Sequence, residues 1–143
     1  MTTVLIIITV VPLLILAYVR FAPVNIDVVH QDPVTAVASG KPNEYRMTSP
    51  VFDMITPELT KMFDDFVLSQ PRVKRIAGTV DDQMITYVQR TKIISYPDYI
   101  TVKVVPVGTK QSRLEIFSRS RFGYSDLGVN KRRIDDWLLQ LGR

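Results

Sequence analysis

Hydrophobic positions along this chain follow three different patterns. The first is an unbroken apolar run, Val4 to Val19, reading VLIIITVVPLLILAYV with only Thr9 and Pro12 as interruptions and no charge. Extended to Phe21, it makes a helix of about 28 Å at 1.5 Å per residue, close to the roughly 30 Å hydrocarbon core of a bilayer. Tyr18 and Phe21 flank Arg20 at its end, where aromatic and basic side chains settle at a membrane interface. The run predicts a transmembrane anchor over 1–22. A cleaved leader fits less well, because Met1-Thr2-Thr3 lacks a cation and Ala22 is followed by Pro23. Arg20 alone favours a cytoplasmic domain, and one charge does not fix the orientation.

The second pattern has helical spacing. Thr56-Pro57-Glu58 supplies a cap, a proline for the first turn and an acid at the positive end of the dipole. Leu59, Met62, Phe63, Phe66 and Val67 then recur on one face until Pro71. Ile134, Trp137, Leu138 and Leu141 repeat the spacing near the C-terminus.

The third pattern alternates. Val73–Val80 runs to an Asp81-Asp82 turn and Met84–Arg90 follows. Tyr99–Val105 places Ile100, Val102 and Val104 on one face and Thr101 and Lys103 on the other. After a turn at Gly108-Thr109-Lys110, Arg113–Arg121 puts Leu114, Ile116, Ser118 and Ser120 on one face and Glu115, Phe117, Arg119 and Arg121 on the other. Between the apolar run and the first amphipathic helix lie Pro23, Pro33, Gly40, Pro42 and Pro50. Residues 23–50 read as a linker, with extended pieces at Val24–Val29 and Tyr45–Met47. The expected fold is α+β: a single N-terminal transmembrane helix, then an antiparallel β-sheet domain over 51–143 with two amphipathic helices packed on one face.

Composition narrows the chemistry. The chain has no cysteine and a single histidine, His30, which excludes disulfides, thiolate chemistry and a multi-histidine metal site. No P-loop or dinucleotide fingerprint is present, and Asp64-Asp65, Asp81-Asp82 and Asp135-Asp136 are adjacent pairs whose side chains diverge. No catalytic residue, metal or cofactor is assigned. Charge is uneven. Arg20 to Thr109 carries ten basic and ten acidic residues, whereas Lys110 to Arg143 carries eight basic and four acidic.

That excess centres on Arg119-Ser-Arg-Phe-Gly-Tyr-Ser-Asp-Leu-Gly-Val-Asn-Lys-Arg-Arg133, between the last strand and the last helix. With Asn130 as N-cap, Lys131, Arg132 and Arg133 fall in the first turn and oppose the helix dipole. Two readings follow. Asp126 pairs internally with an arginine while Ser125 or Asp126 caps the turn, or the arginines bind an anion. The candidate binding set is Arg119, Arg121, Tyr124, Ser125, Asp126, Asn130, Arg132 and Arg133. A hydrolase built on Ser125 and Asp126 would need a base and an oxyanion site that the sequence does not supply.

This same stretch resembles the hallmark of the family called domain of unknown function 1499. Arg119, Arg121, Gly123, Ser125, Asp126, Gly128, Asn130 and Arg133 fall on its pattern, and looser similarity extends from about Pro33 onward. Many members carry a paired-aspartate and glutamate segment on the preceding strand. Here Tyr96-Pro97-Asp98-Tyr99-Ile100-Thr101 retains one acid, so a role needing several carboxylates is not carried over. The resemblance assigns no reaction. It implies a bacterial inner-membrane protein with its domain in the periplasm.

The expected function is a non-catalytic accessory or assembly subunit of a larger membrane protein complex, with the lipid bilayer and an integral membrane complex as partners. The alternative is a tethered binding module for a small anion or anionic lipid headgroup. Nucleic acid is not an expected partner, since aromatics do not interleave with the basic residues.

Overall fold

The computed structural model describes the backbone of residues 2–142 and the side chains of residues 8–142. Its elements are α1 (Thr2–Phe21), α2 (Ile26–Val29), β1 (Glu44–Thr48), α3 (Thr56–Ser69), β2 (Val73–Thr79), β3 (Met84–Arg90), β4 (Pro97–Pro106), β5 (Ser112–Ser120) and α4 (Val129–Leu141). The strands form one antiparallel sheet in the order β1-β5-β4-β3-β2. Helix α3 begins at Thr56 with Pro57 in its first turn, one residue earlier than a Thr56 cap implies.

Helices α3 and α4 cover one sheet face, as the two amphipathic patterns predict. Leu59, Phe63 and Val67 of α3 and Ile134 and Trp137 of α4 pack on Ile85, Tyr87, Ile100, Val102, Leu114 and Ile116. Each such side chain is worth about 1.5–3 kcal/mol on burial, so this layer holds the domain together. Asp64 turns inward, accepting from Tyr87 Oη at 2.9 Å and pairing with Arg75. Burial, reinforced by the Asp64 charge, pushes the Tyr87 hydroxyl pKa far up, so it stays a donor. Its neighbour Asp65 faces solvent and meets Lys61.

The opposite face is covered too, by the stretch expected as a linker. Val29, Val88 and Tyr99 form a second apolar cluster with Val24, Ile26 and Ile76 around it. Val24–Val29 does not extend as a strand. Ile26 and Val29 share one side of a helical turn, so a short helix buries both where a strand would expose one. Beneath it, Thr101 Oγ1 donates to the Val29 carbonyl at 2.8 Å and contacts Thr86 Oγ1 at 2.9 Å, which meets His30 Nδ1 at 2.8 Å. Lys103 pairs with Asp32, and Arg46 donates to the Val34 and Ala36 carbonyls. Tyr45–Met47 does become strand, inside β1.

The transmembrane anchor is corrected. Among the described residues no helix is long and apolar enough to cross a membrane. The first part of the predicted span, residues 1–7, lies outside the described side chains. The end of α1 belongs to the domain: Val19 is buried, Tyr18 meets the Phe122 ring edge-on at 6.0 Å, and Arg20 donates to Ser95 Oγ at 2.8 Å.

Candidate functional site

The motif joins β5 to α4 and is built around one buried amide. Asn130 is 1% exposed and sits in the first turn of α4. Its side-chain oxygen accepts from Ser118 Oγ and from Arg133 Nη1 at 2.8 Å. Its two side-chain N–H groups are shared among three acceptors, Ser120 Oγ at 3.0 Å, the Asn43 carbonyl at 3.2 Å and Asp126 Oδ2 at 2.7 Å. A buried amide with all of these bonds made is a rigid joint, because leaving one unmade costs about 1–3 kcal/mol. The helix therefore does not start on Asn130 as an N-cap.

Asp126 caps it instead. Its Oδ1 accepts from the Gly128 N–H at 2.9 Å and its Oδ2 from the Asn130 N–H at 2.7 Å. Burial disfavours the Asp126 carboxylate, but these two amides and the Asn130 side chain outweigh it and hold the carboxyl below its usual pKa. Gly128 stands at the cap position with φ of 77°, and a Cβ there would lie 3.2 Å from Arg132 Nη1. Ser125 Oγ accepts from the Leu127 N–H at 3.2 Å, while Tyr124 is 73% exposed.

The three first-turn cations each find an internal answer to the helix dipole. Lys131 pairs with Asp135 one turn on, and Arg132 Nη1 donates to the Leu127 carbonyl at 2.8 Å. Arg133 pairs with Asp98, the two side chains being 9% and 5% exposed. Asp98 also accepts from Ser120 Oγ at 2.6 Å. The single acid kept in the Tyr96–Thr101 segment is thus the motif's ionic partner.

Arg119 and Arg121 point the other way. Arg119 Nη2 donates to the Val28 carbonyl, and its guanidinium lies 5.0 Å from the Phe117 ring, with Arg46 4.6 Å from the same ring. Burial pulls its pKa below the usual arginine value, with Glu44 opposing and Arg46 adding to the effect. Arg121 donates to the Ala22 and Pro23 carbonyls at 3.0 and 2.7 Å and to Tyr99 Oη at 3.2 Å. These carbonyls follow the last turn of α1, where the helix dipole favours a cation. Phe122 adds ring contacts to Tyr18 and Tyr96.

The predicted set is therefore adjacent in the chain but split in space. Asp126, Asn130 and Arg133 share the helix-side network, Arg119 and Arg121 hold the N-terminal segment on the far face, and Arg132 and Tyr124 lie outside both. A cavity of about 290 Å³ opens at the junction, lined by Asp98, Ser120, Ser125 and Asp126 among others and by no cation. Asp98, Asn43, Ser118 and Ser120 were absent from the sequence-derived set. Asp98 carried a readable signal, as the acid retained beside Pro97, and so did Ser118 and Ser120, as polar residues on the apolar face of the last strand.

A family model described as "Protein of unknown function (DUF1499)" matches residues 28–141. The chain belongs to that family. No match is found among curated proteins. Among solved structures, the chain is similar to one in the crystal structure of the adenylate sensor from AMP-activated protein kinase in complex with ZMP. The similarity has a TM-score of 0.50 and 10% identity over 65% of this chain and 93% of that one. At that identity the likeness concerns the fold alone.

Proposed function

We propose that this member of the DUF1499 family is a non-catalytic accessory subunit that seats its N-terminal helix in a partner protein. The observation that carries the reading is the surface of α1. Ile8, Leu13, Leu14 and Ile15 are 55–64% exposed, and Val10, Val11 and Leu16 are exposed as well. The described stretch of α1 exposes these apolar side chains one after another and requires a cover, since contiguous exposed apolar surface marks an interaction site. Covering the four most exposed of these would recover about 1.5–3 kcal/mol each, before the cost of association.

The junction supports this reading by fixing the helix. Phe122 packs on Tyr18 in its last turn and Arg121 holds the Ala22 and Pro23 carbonyls just beyond it, so the end of α1 is fixed to the domain. The nearby carboxylates hold structure together: Asp98 pairs with Arg133 and Asp126 caps α4. Affinity purification of the full chain through a C-terminal tag in mild detergent should recover a stoichiometric partner. L13D/L14D should lose that partner while keeping the far-UV spectrum of the folded domain. Recovery of the wild-type chain alone, or retention of the partner by the variant, would overturn the proposal.

A further inference from the structure

Where β2 and β3 meet the end of α1, a cavity of about 470 Å³ is lined by Arg20, Arg72, Lys74, Arg90 and Lys92 and by no acid. The sequence gives no hint of it, because these five lie in the stretch from Arg20 to Thr109, whose charges balance. The fold assembles them. Lys74 stands opposite Val88 across β2 and β3, and beyond that pair Arg72 and Arg90 face each other: the Arg90 N–H donates to the Arg72 carbonyl at 3.1 Å, and Arg72 Nε to the Arg90 carbonyl at 3.0 Å. Lys92 follows on the connection to β4, and the last turn of α1 brings in Arg20.

None of the five makes an ion pair. The described residues form six ion pairs, and every one lies elsewhere. Among the described residues the guanidinium groups of Arg20 and Arg90 donate only to Ser95, through its hydroxyl at 2.8 Å and its carbonyl at 2.9 Å. Among the described residues the Lys74 and Lys92 side chains have no hydrogen-bond partner. The adjoining cavity of about 420 Å³ shares Arg72, Arg90 and Lys92, and its one acid, Asp136, is not paired with them. Arg72 is also held at φ of 60° and Ser95 at 62°, uncommon values for residues other than glycine. Like charges opposed across a strand pair destabilise a sheet. A fold that gathers five cations in one concavity without a carboxylate is electrostatically incomplete.

We infer that this cavity binds a phosphate-bearing anion of at least two negative charges. Guanidinium groups match phosphoryl oxygens with paired N–H donors, and the lysines add mobile point charges. Phe21 and Val88 also line the cavity, giving apolar surface to the organic part of a phosphate ester. The junction arginines are unavailable for this role, each being engaged internally. A soluble phosphoryl compound and a lipid phosphate headgroup present the same chemistry.

The test uses the full chain, with inorganic pyrophosphate as the soluble probe and phosphatidylcholine vesicles with or without phosphatidic acid as the lipid probe. Binding is measured by calorimetry and by vesicle flotation. Lys74→Gln with Lys92→Gln removes two charges that make no internal bond, so the fold is retained, and Lys61→Gln on α3 is the control. The expected result is binding that falls with salt and weakens about tenfold or more in K74Q/K92Q, with K61Q unchanged. Pyrophosphate binding without phosphatidic-acid-dependent flotation identifies a soluble ligand. Flotation that requires phosphatidic acid and is lost in K74Q/K92Q identifies a lipid. Binding of neither probe, or equal binding by K74Q/K92Q and wild type, would overturn the inference.

Discussion

Two basic regions of this molecule look alike in composition and behave oppositely in space. At the β5–α4 junction Arg119, Arg121, Arg132 and Arg133 each donate to a carbonyl, a carboxylate or an amide of the same chain. In the cavity beside β2, Arg20, Arg72, Lys74, Arg90 and Lys92 meet no carboxylate. The junction holds the net charge excess of the chain, and the cavity lies in its balanced part. What separates a brace from a binding surface is therefore the local pairing of charges, which net charge does not report.

The comparison predicts mutational effects of opposite sign. The largest belongs to the junction. Arg133→Ala leaves Asp98 buried without its cation, a loss of about 3–5 kcal/mol for a broken buried pair. Chemical denaturation should show it, and adding Asp98→Asn should restore part of the loss. A cost below about 1 kcal/mol would mean that the brace is no stronger than a surface contact.

Next comes the cap. Asp126→Ala should cost about 1 kcal/mol of helix stability. The pH dependence has a fixed sign. The folded-state pKa of Asp126 is lowered, so its contribution is present above the unfolded-state value and is lost as pH falls through the folded-state value. Asp126→Asn should flatten the loss of stability in acid. An unchanged slope as pH falls below the unfolded-state value would remove Asp126 from the account.

The smallest effect carries the most contrast. Without added anion, K74Q/K92Q should melt slightly higher than wild type, by about 1–2 °C, because it relieves repulsion. At the junction removal of a cation destabilises; at the cavity it stabilises. A lower melting point for K74Q/K92Q would erase the distinction between the two regions.

Much of the fold was legible because periodicity is a local property. Leu59, Met62, Phe63, Phe66 and Val67 can share a face only on a helix, and Ile100, Val102 and Val104 only on a strand. The proline-rich stretch 23–50 was not legible as a packed layer. Its contacts, such as Arg46 to the Val34 and Ala36 carbonyls and Lys103 to Asp32, depend on which segments meet across the sheet. The apolar run at the N-terminus was read as a span because hydropathy does not record where a chain docks. Tyr18 and Arg20 are engaged by Phe122 and Ser95, 104 and 75 positions away, and Val19 is buried.

The candidate site shows the same division. From the sequence came the motif, its family, the crowding of cations in the first turn of the last helix, and the prospect of Asp126 bracing it. Only the tertiary structure decided that Asp98 answers Arg133, that Asn130 is a buried joint, and that five cations converge where no arginine-rich string appears. The reason is physical. Secondary structure follows from spacing along one segment, whereas the environment of a charge is set by distances of a few ångströms between segments that the sequence holds far apart.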